Sequence, residues 1–171
     1  MSNSIRAACA AAAMLGLSAC ATLPSASHHP EAMEAYTTTL ASDPAGELDA
    51  ALGKAAQDGK SVLMVMGANW CHDSRALAGW LETPRFAGLV EERYHLVFVN
   101  VGRPQSGDTH NLALAARFGI DTLEGTPALL VIGPDGRLRN RGTARSWRNA
   151  ASRSEDAIFD ELAALAVQPA E

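Results

Sequence analysis

Three cysteines in 171 residues, at Cys9, Cys20 and Cys71, are too few for a disulfide-stapled scaffold. Small secreted domains that rely on bridges carry paired thiols at a much higher density, so that class is excluded. Basic charge is scarce as well: 14 Lys+Arg stand against 19 Asp+Glu, a net charge of −5. Phosphate backbones are held by concentrated basic surface, so nucleic acid is excluded as a partner. The arginines between Arg137 and Arg153 do not alter this, because Asp135, Glu155 and Asp156 flank them and the stretch reads as a solvated face. There is no internal repeat. What is present is apolar material: 47% of the residues are hydrophobic, enough for the core of one ordinary domain with a short extension.

The N-terminal end has its own character. Arg6 precedes a short, alanine-rich apolar run from Ala7 to Leu17. A bilayer core needs ~20 apolar residues in a helix, so this run is expected to be an export signal and not a membrane span. It ends in Leu17-Ser18-Ala19-Cys20, which resembles the lipobox of bacterial lipoproteins. That resemblance implies cleavage after residue 19, acylation of Cys20, and a protein held at a membrane by several acyl chains, since one chain alone binds marginally. Ala21 stands where, in that family, an aspartate favours the inner membrane, so the expected location is the outer membrane, facing the periplasm. Cys9 would then leave with residues 1–19 and Cys20 would be blocked by lipid. Cys71 would remain as the one free thiol, without an internal partner in an oxidising compartment.

Residues 20–42 contain Pro24, Ser25, Ser27, His28, His29 and Pro30 without periodicity and read as the lipidated cysteine and a tether. The ordered domain is expected over 43–168. Asp43 suits a helix cap, Pro44 the first helical position, and Leu48, Ala51, Leu52 and Ala55 share a face that Gly59 closes. Ser61 to Met66 reads as a strand buried on both faces. A helix from about Cys71 carries Ala76, Leu77 and Trp80 and is interrupted at Thr83-Pro84, continuing to about Arg93. Leu96 to Val101 reads as a second buried strand, 102–110 as a loop, and 111–118 as a short helix. Ala128 to Ile132 reads as a third strand, turning at Pro134-Asp135-Gly136 into an edge strand over 137–141. Ser154 caps a last helix with Ala157, Ile158, Leu162 and Leu165. The order predicts an α/β fold, a mixed sheet with helices on both faces.

Cys71 falls where the first strand gives way to a helix. Backbone N–H groups and the helix dipole at such a position stabilise a thiolate, the nucleophilic form. The alternative is an inert, buried small hydrophobe. The surrounding Ala68-Asn69-Trp70-Cys71-His72-Asp73-Ser74 resembles the W-C-x-x-C motif of the thioredoxin superfamily with serine at the second cysteine. Gly125-Thr126-Pro127-Ala128 resembles that superfamily's cis-proline segment, and Phe118-Gly119-Ile120 before it is similar too. The resemblance covers roughly Asp43 to Ala166 and implies a thioredoxin fold, with Cys71 and Ser74 as catalytic positions. It further implies a cis Thr126–Pro127 bond beside the thiol. Trp70, His72, Asp73, Thr126 and Pro127 would then be substrate-binding, the Thr126 backbone pairing with an extended substrate.

Three departures from the superfamily pattern bear on the chemistry. Ser74 cannot resolve a mixed disulfide, though it can donate a hydrogen bond to the Cys71 thiolate. Val65 replaces the buried aspartate that serves the resolving thiol, and Ala128 replaces a common threonine. His72, if protonated, would favour the thiolate and Asp73 would oppose it, while Trp70 would shield one side. The expected activity is monothiol exchange with protein or small-molecule thiols and disulfides of the cell envelope. The alternative is a non-catalytic binding module with a vestigial thiol. No cofactor is expected. His28, His29, Asp108 and His110 lack ligand spacing, so no metal site is expected either.

Overall fold

The computed structural model describes residues 29–36 and 42–168. The signal segment 1–19, Cys20 and most of the expected tether lie outside the described residues.

The first helix, α1 (Pro44–Asp58), starts as its caps dictate: the Asp43 carboxylate accepts the Gly46 N–H at 2.9 Å, and Pro44 needs no donor there. Gly59 ends it in the left-handed region at φ 79° and donates its N–H to the Ala55 carbonyl. Strand β1 (Ser61–Gly67) is buried at all seven positions. It lies between β2 (Tyr94–Asn100), which runs parallel to it, and β5 (Ala128–Ile132), which runs antiparallel, so the sheet order is β2-β1-β5. Alternate residues of a strand face opposite sides. Val62, Met64 and Met66 therefore pack with Leu48, Ala51 and Ala55 of α1. Leu63 and Val65 pack on the other side, with Leu77 of α2 (His72–Glu82), Phe86 of α3 (Pro84–Arg93) and Ile158 and Leu162 of α5 (Glu155–Val167). Thr83 separates α2 from α3; its hydroxyl donates to the Trp80 carbonyl and Pro84 opens the next helix. The Ser154 side chain caps α5 by accepting from Ala157 N–H at 3.2 Å.

Six details differ from expectation. Strand β2 starts at Tyr94 and is buried only at Tyr94, Val97 and Val99. The 102–110 loop holds a small hairpin, β3 (Gly102–Arg103) and β4 (Asp108–Thr109), closed over a short 3-10 turn at Pro104–Ser106. The following helix, expected to be short and to run over 111–118, is confined to α4 (Leu112–Ala116).

The return strand over 137–141 shrinks to one bridge between Ile132 and Leu138. Arg139 N–H still donates to Val131 at 2.8 Å, but the buried side chain of Asn140 then takes over the edge of β5. Its carbonyl oxygen accepts Val131 N–H and its amide donates to the Leu129 carbonyl, both at 2.9 Å, so a side chain substitutes for ladder backbone and the chain turns away. It then forms a 3-10 helix, Ser146–Ser152, that buries Trp147 against α2, an element the apolar pattern did not reveal. Finally, residues 29–36, expected as tether, pack on the domain: Tyr36 is fully buried and Ala32 N–H donates to the Arg75 carbonyl at 3.0 Å.

Removing the Asn140 amide would leave one buried donor and one buried acceptor of β5 unpaired, each worth about 1–3 kcal/mol. Asn140→Ala is therefore expected to lower the urea midpoint by an amount equivalent to about 2 kcal/mol or more, with an unchanged slope.

Candidate active site

Strand β1 ends at Gly67, and four residues later the chain enters α2 with Cys71 as its N-cap. Cys71 N–H donates to the Ala68 carbonyl and its own carbonyl accepts from Arg75, both at 3.0 Å, so the turn and the first helical turn fix the thiol from both sides. The Thr126–Pro127 peptide is cis. The Cys71 thiol donates to the Thr126 carbonyl at 3.3 Å, across 55 residues of sequence, and is 8% exposed. Cys71, Thr126 and Pro127, named from sequence alone, are thus brought together. Cys20 lies outside the described residues.

Around the thiol, one contact differs from expectation, that of Ser74. Ser74 is fully buried, and among the described residues its hydroxyl has no hydrogen-bond partner; it does not donate to Cys71. Space explains this. A Cβ added to Gly67 would sit 2.5 Å from the Tyr36 ring and 2.7 Å from Ser74 Oγ, so that hydroxyl is wedged between the phenol and the strand end while the thiol faces Thr126. Trp70 is 38% exposed; its indole N–H donates to the Gly102 carbonyl at 2.9 Å, and the Arg103 guanidinium lies 4.6 Å from its ring centroid. The indole is thereby fastened to the β3–β4 hairpin. Asp73 accepts the Ala151 N–H at 2.9 Å, which ties the 3-10 helix to the start of α2. Of the residues between Cys71 and Ser74, only His72 faces outward, 3.2 Å from Glu31.

Sequence reasoning missed the strap formed by residues 29–36. Asn69 clamps it at two points, accepting Tyr36 N–H and donating to the Tyr36 carbonyl, both at 2.9 Å. The Tyr36 hydroxyl donates to the Ser74 carbonyl at 3.3 Å. Burial, and then the proximity of Cys71, push the phenol far above its ordinary range, so it stays a donor. Arg75 reaches the Glu31 carboxylate with Nε at 3.0 Å and the Asn69 carbonyl with its terminal nitrogen at 3.0 Å. That hydrogen bond from Arg75 holds the Glu31 carboxyl below its usual range, aided by the charge of Arg75 and of His72 and His29. At Gly79 a Cβ would stand 2.4 Å from the Pro30 carbonyl oxygen, so only glycine lets the strap cross α2 this closely. The available signals were a tyrosine at the end of a stretch without periodicity and a glycine inside a helical pattern.

Comparison with known proteins agrees with this geometry. The sequence pattern of a family described as Thioredoxin-like matches residues 43–134, more than half of the chain. The chain belongs to the thioredoxin-like family. A crystal structure of a disulphide isomerase from Xylella fastidiosa Temecula1 is similar, with a TM-score of 0.66 and 30% identity over 75% of this chain and 95% of that one. No curated protein sequence matches the chain. Within this thioredoxin-like domain, Val65 is buried among apolar neighbours, as its side chain suits.

The strap should contribute much of the packing behind the thiol. Tyr36→Ala is expected to cost about 3–5 kcal/mol, the range for emptying a buried aromatic site, whereas Tyr36→Phe, which loses one hydrogen bond, should cost about 1 kcal/mol. Thermal or urea unfolding of the two variants checks this; equal losses would show that the ring is not the packing element.

Proposed function

We propose that this thioredoxin-like protein carries out monothiol thiol–disulfide exchange through Cys71. The observation that carries this reading is the Cys71 thiol at the start of α2, 3.3 Å from the Thr126 carbonyl beside the cis Pro127. The similar disulphide isomerase supports the class of reaction. In the forward step the Cys71 thiolate attacks one sulfur of a substrate disulfide. A new S–S bond joins Cys71 to that half, and the other half leaves as a thiolate that takes up a proton. With serine at position 74, a second thiol from outside the chain attacks the mixed disulfide, restores Cys71 and departs disulfide-bonded to the first half. No net oxidation occurs, which suits disulfide isomerisation or removal of thiol adducts. Displacing the thiol's contact with Thr126 would free that backbone to pair with an extended substrate chain.

The low exposure of Cys71 favours a second reading, a thioredoxin-fold module that binds envelope proteins without turnover. One experiment separates the two. Wild-type protein treated with an activated disulfide should gain one adduct on Cys71 by mass, and an added small thiol should remove it. Ser74→Cys should convert that site to an internal disulfide with Cys71, because residues three apart share a helical face, and should gain dithiol reductase activity. Val65→Asp added to Ser74→Cys should raise the rate further. An unreactive wild-type thiol together with no disulfide in Ser74→Cys would leave only the binding module.

We further propose that the protein works in the cell envelope, lipid-anchored through Cys20 at the outer membrane and facing the periplasm. Leu17-Ser18-Ala19-Cys20 supports this, and among the described residues no helix is long and apolar enough to cross a membrane. Cys20→Ala should move the protein out of the membrane fraction or leave it unprocessed. A soluble wild-type protein with no acyl mass on its N-terminus would overturn the anchoring.

A further inference from the structure

The fold joins residues whose linear spacing hid them. His29 and Glu31 come from the strap and His72 from the first turn of α2, and each offers one donor atom within 4.8 Å of the others. Glu31 Oε1 is 3.2 Å from His72 Nε2, and the His29 and His72 ring centroids are 4.7 Å apart with the rings inclined at 58°. The Nδ1 of His29 is buried and has no hydrogen-bond partner among the described residues. We propose that His29, Glu31 and His72 form a binding site for a late first-row divalent metal ion such as zinc.

The supporting structure is what such a site requires. Carboxylate ligands are held in place by a further hydrogen bond, and the second oxygen of Glu31 is held by Arg75 Nε at 3.0 Å. The backbone that carries His29 and Glu31 is pinned by the Ala32 to Arg75 hydrogen bond and by the close crossing of Pro30 over Gly79. Donor atoms around a tetrahedral zinc ion, with bonds of ~2.0–2.2 Å, stand roughly 3.4 Å apart. Gaps of no more than 4.8 Å therefore close by small rotations of side chains that are half-buried or exposed. Two imidazoles and one carboxylate are borderline donors that suit zinc, copper or nickel, whereas calcium and magnesium take oxygen ligands. Three protein ligands leave a fourth position open for water or an incoming donor. The Arg75 charge offsets that of Glu31, which makes this a weaker, exchangeable site and not a permanent structural one. Cys71 is outside the cluster, its thiol turned to Thr126, so the site stands whether or not the thiol turns over. An ion here would tie the strap to the helix that bears Cys71.

The test is equilibrium dialysis of the full chain, with its thiols alkylated, against zinc alone. One zinc per chain is expected. His29→Gln, Glu31→Gln and His72→Gln should each weaken binding by at least about tenfold, the lower end of what loss of even a supporting partner costs. His110→Gln, in an exposed pair with Asp108, should not. Zinc should also raise the melting temperature of the wild type but not of His72→Gln. Failure to retain zinc, equal binding by the three variants and the wild type, or loss of binding with His110→Gln would each overturn the site. Because the thiols are blocked, these outcomes are independent of any result on disulfide exchange.

Discussion

Strand β1 has a hydrogen-bonding partner on each edge and apolar packing on each face, and the geometry of the site follows from that constraint. A slip of one residue would turn Leu63 and Val65 toward α1 and send Met64 and Met66 to the opposite side, so the register is fixed by burial. The same register sets Met66 opposite Ala128. Two residues before Ala128 is Thr126, and five after Met66 is Cys71. The contact between the thiol and the Thr126 carbonyl is thus a consequence of how the central strand pairs, with the tight turn at Ala68–Cys71 supplying the last adjustment.

Behind the thiol the structure relies on a segment remote from the motif. Tyr36 and Ser74 fill the space that the missing side chain of Gly67 leaves, and Asn69 binds the Tyr36 backbone as a neighbouring strand would. Ser74 therefore has two attributes: it lacks the sulfur that would close a disulfide, and it is a packing residue under an aromatic ring. The hydroxyl pays a desolvation cost there without a partner among the described residues, which is consistent with a position shaped by volume more than by polarity.

Much of this was legible in the residues. The caps of α1 and α5, the uninterrupted apolar run of β1, the break at Thr83-Pro84, and the pairing of Cys71 with Thr126-Pro127 all rest on local chemistry or on a family resemblance carried by two motifs. What escaped depended on contacts between distant residues. Asn140 reads as a turn residue until its amide is seen capping an edge of β5. The 3-10 helix around Trp147 has no apolar period, and it is held through Asp73, which by sequence is an exposed helix start. The strap has neither period nor propensity; its order comes from Tyr36, Asn69 and Gly79 acting together.

That strap changes what counts as one folding unit. The part of the chain that carries the family pattern, 43–134, contains neither Tyr36 nor Trp147 nor α5. A fragment cut to those limits would lose three of the groups that cover the side of β1 bearing Leu63 and Val65, and would present that side to water. The autonomous unit is longer at both ends than its recognisable segment.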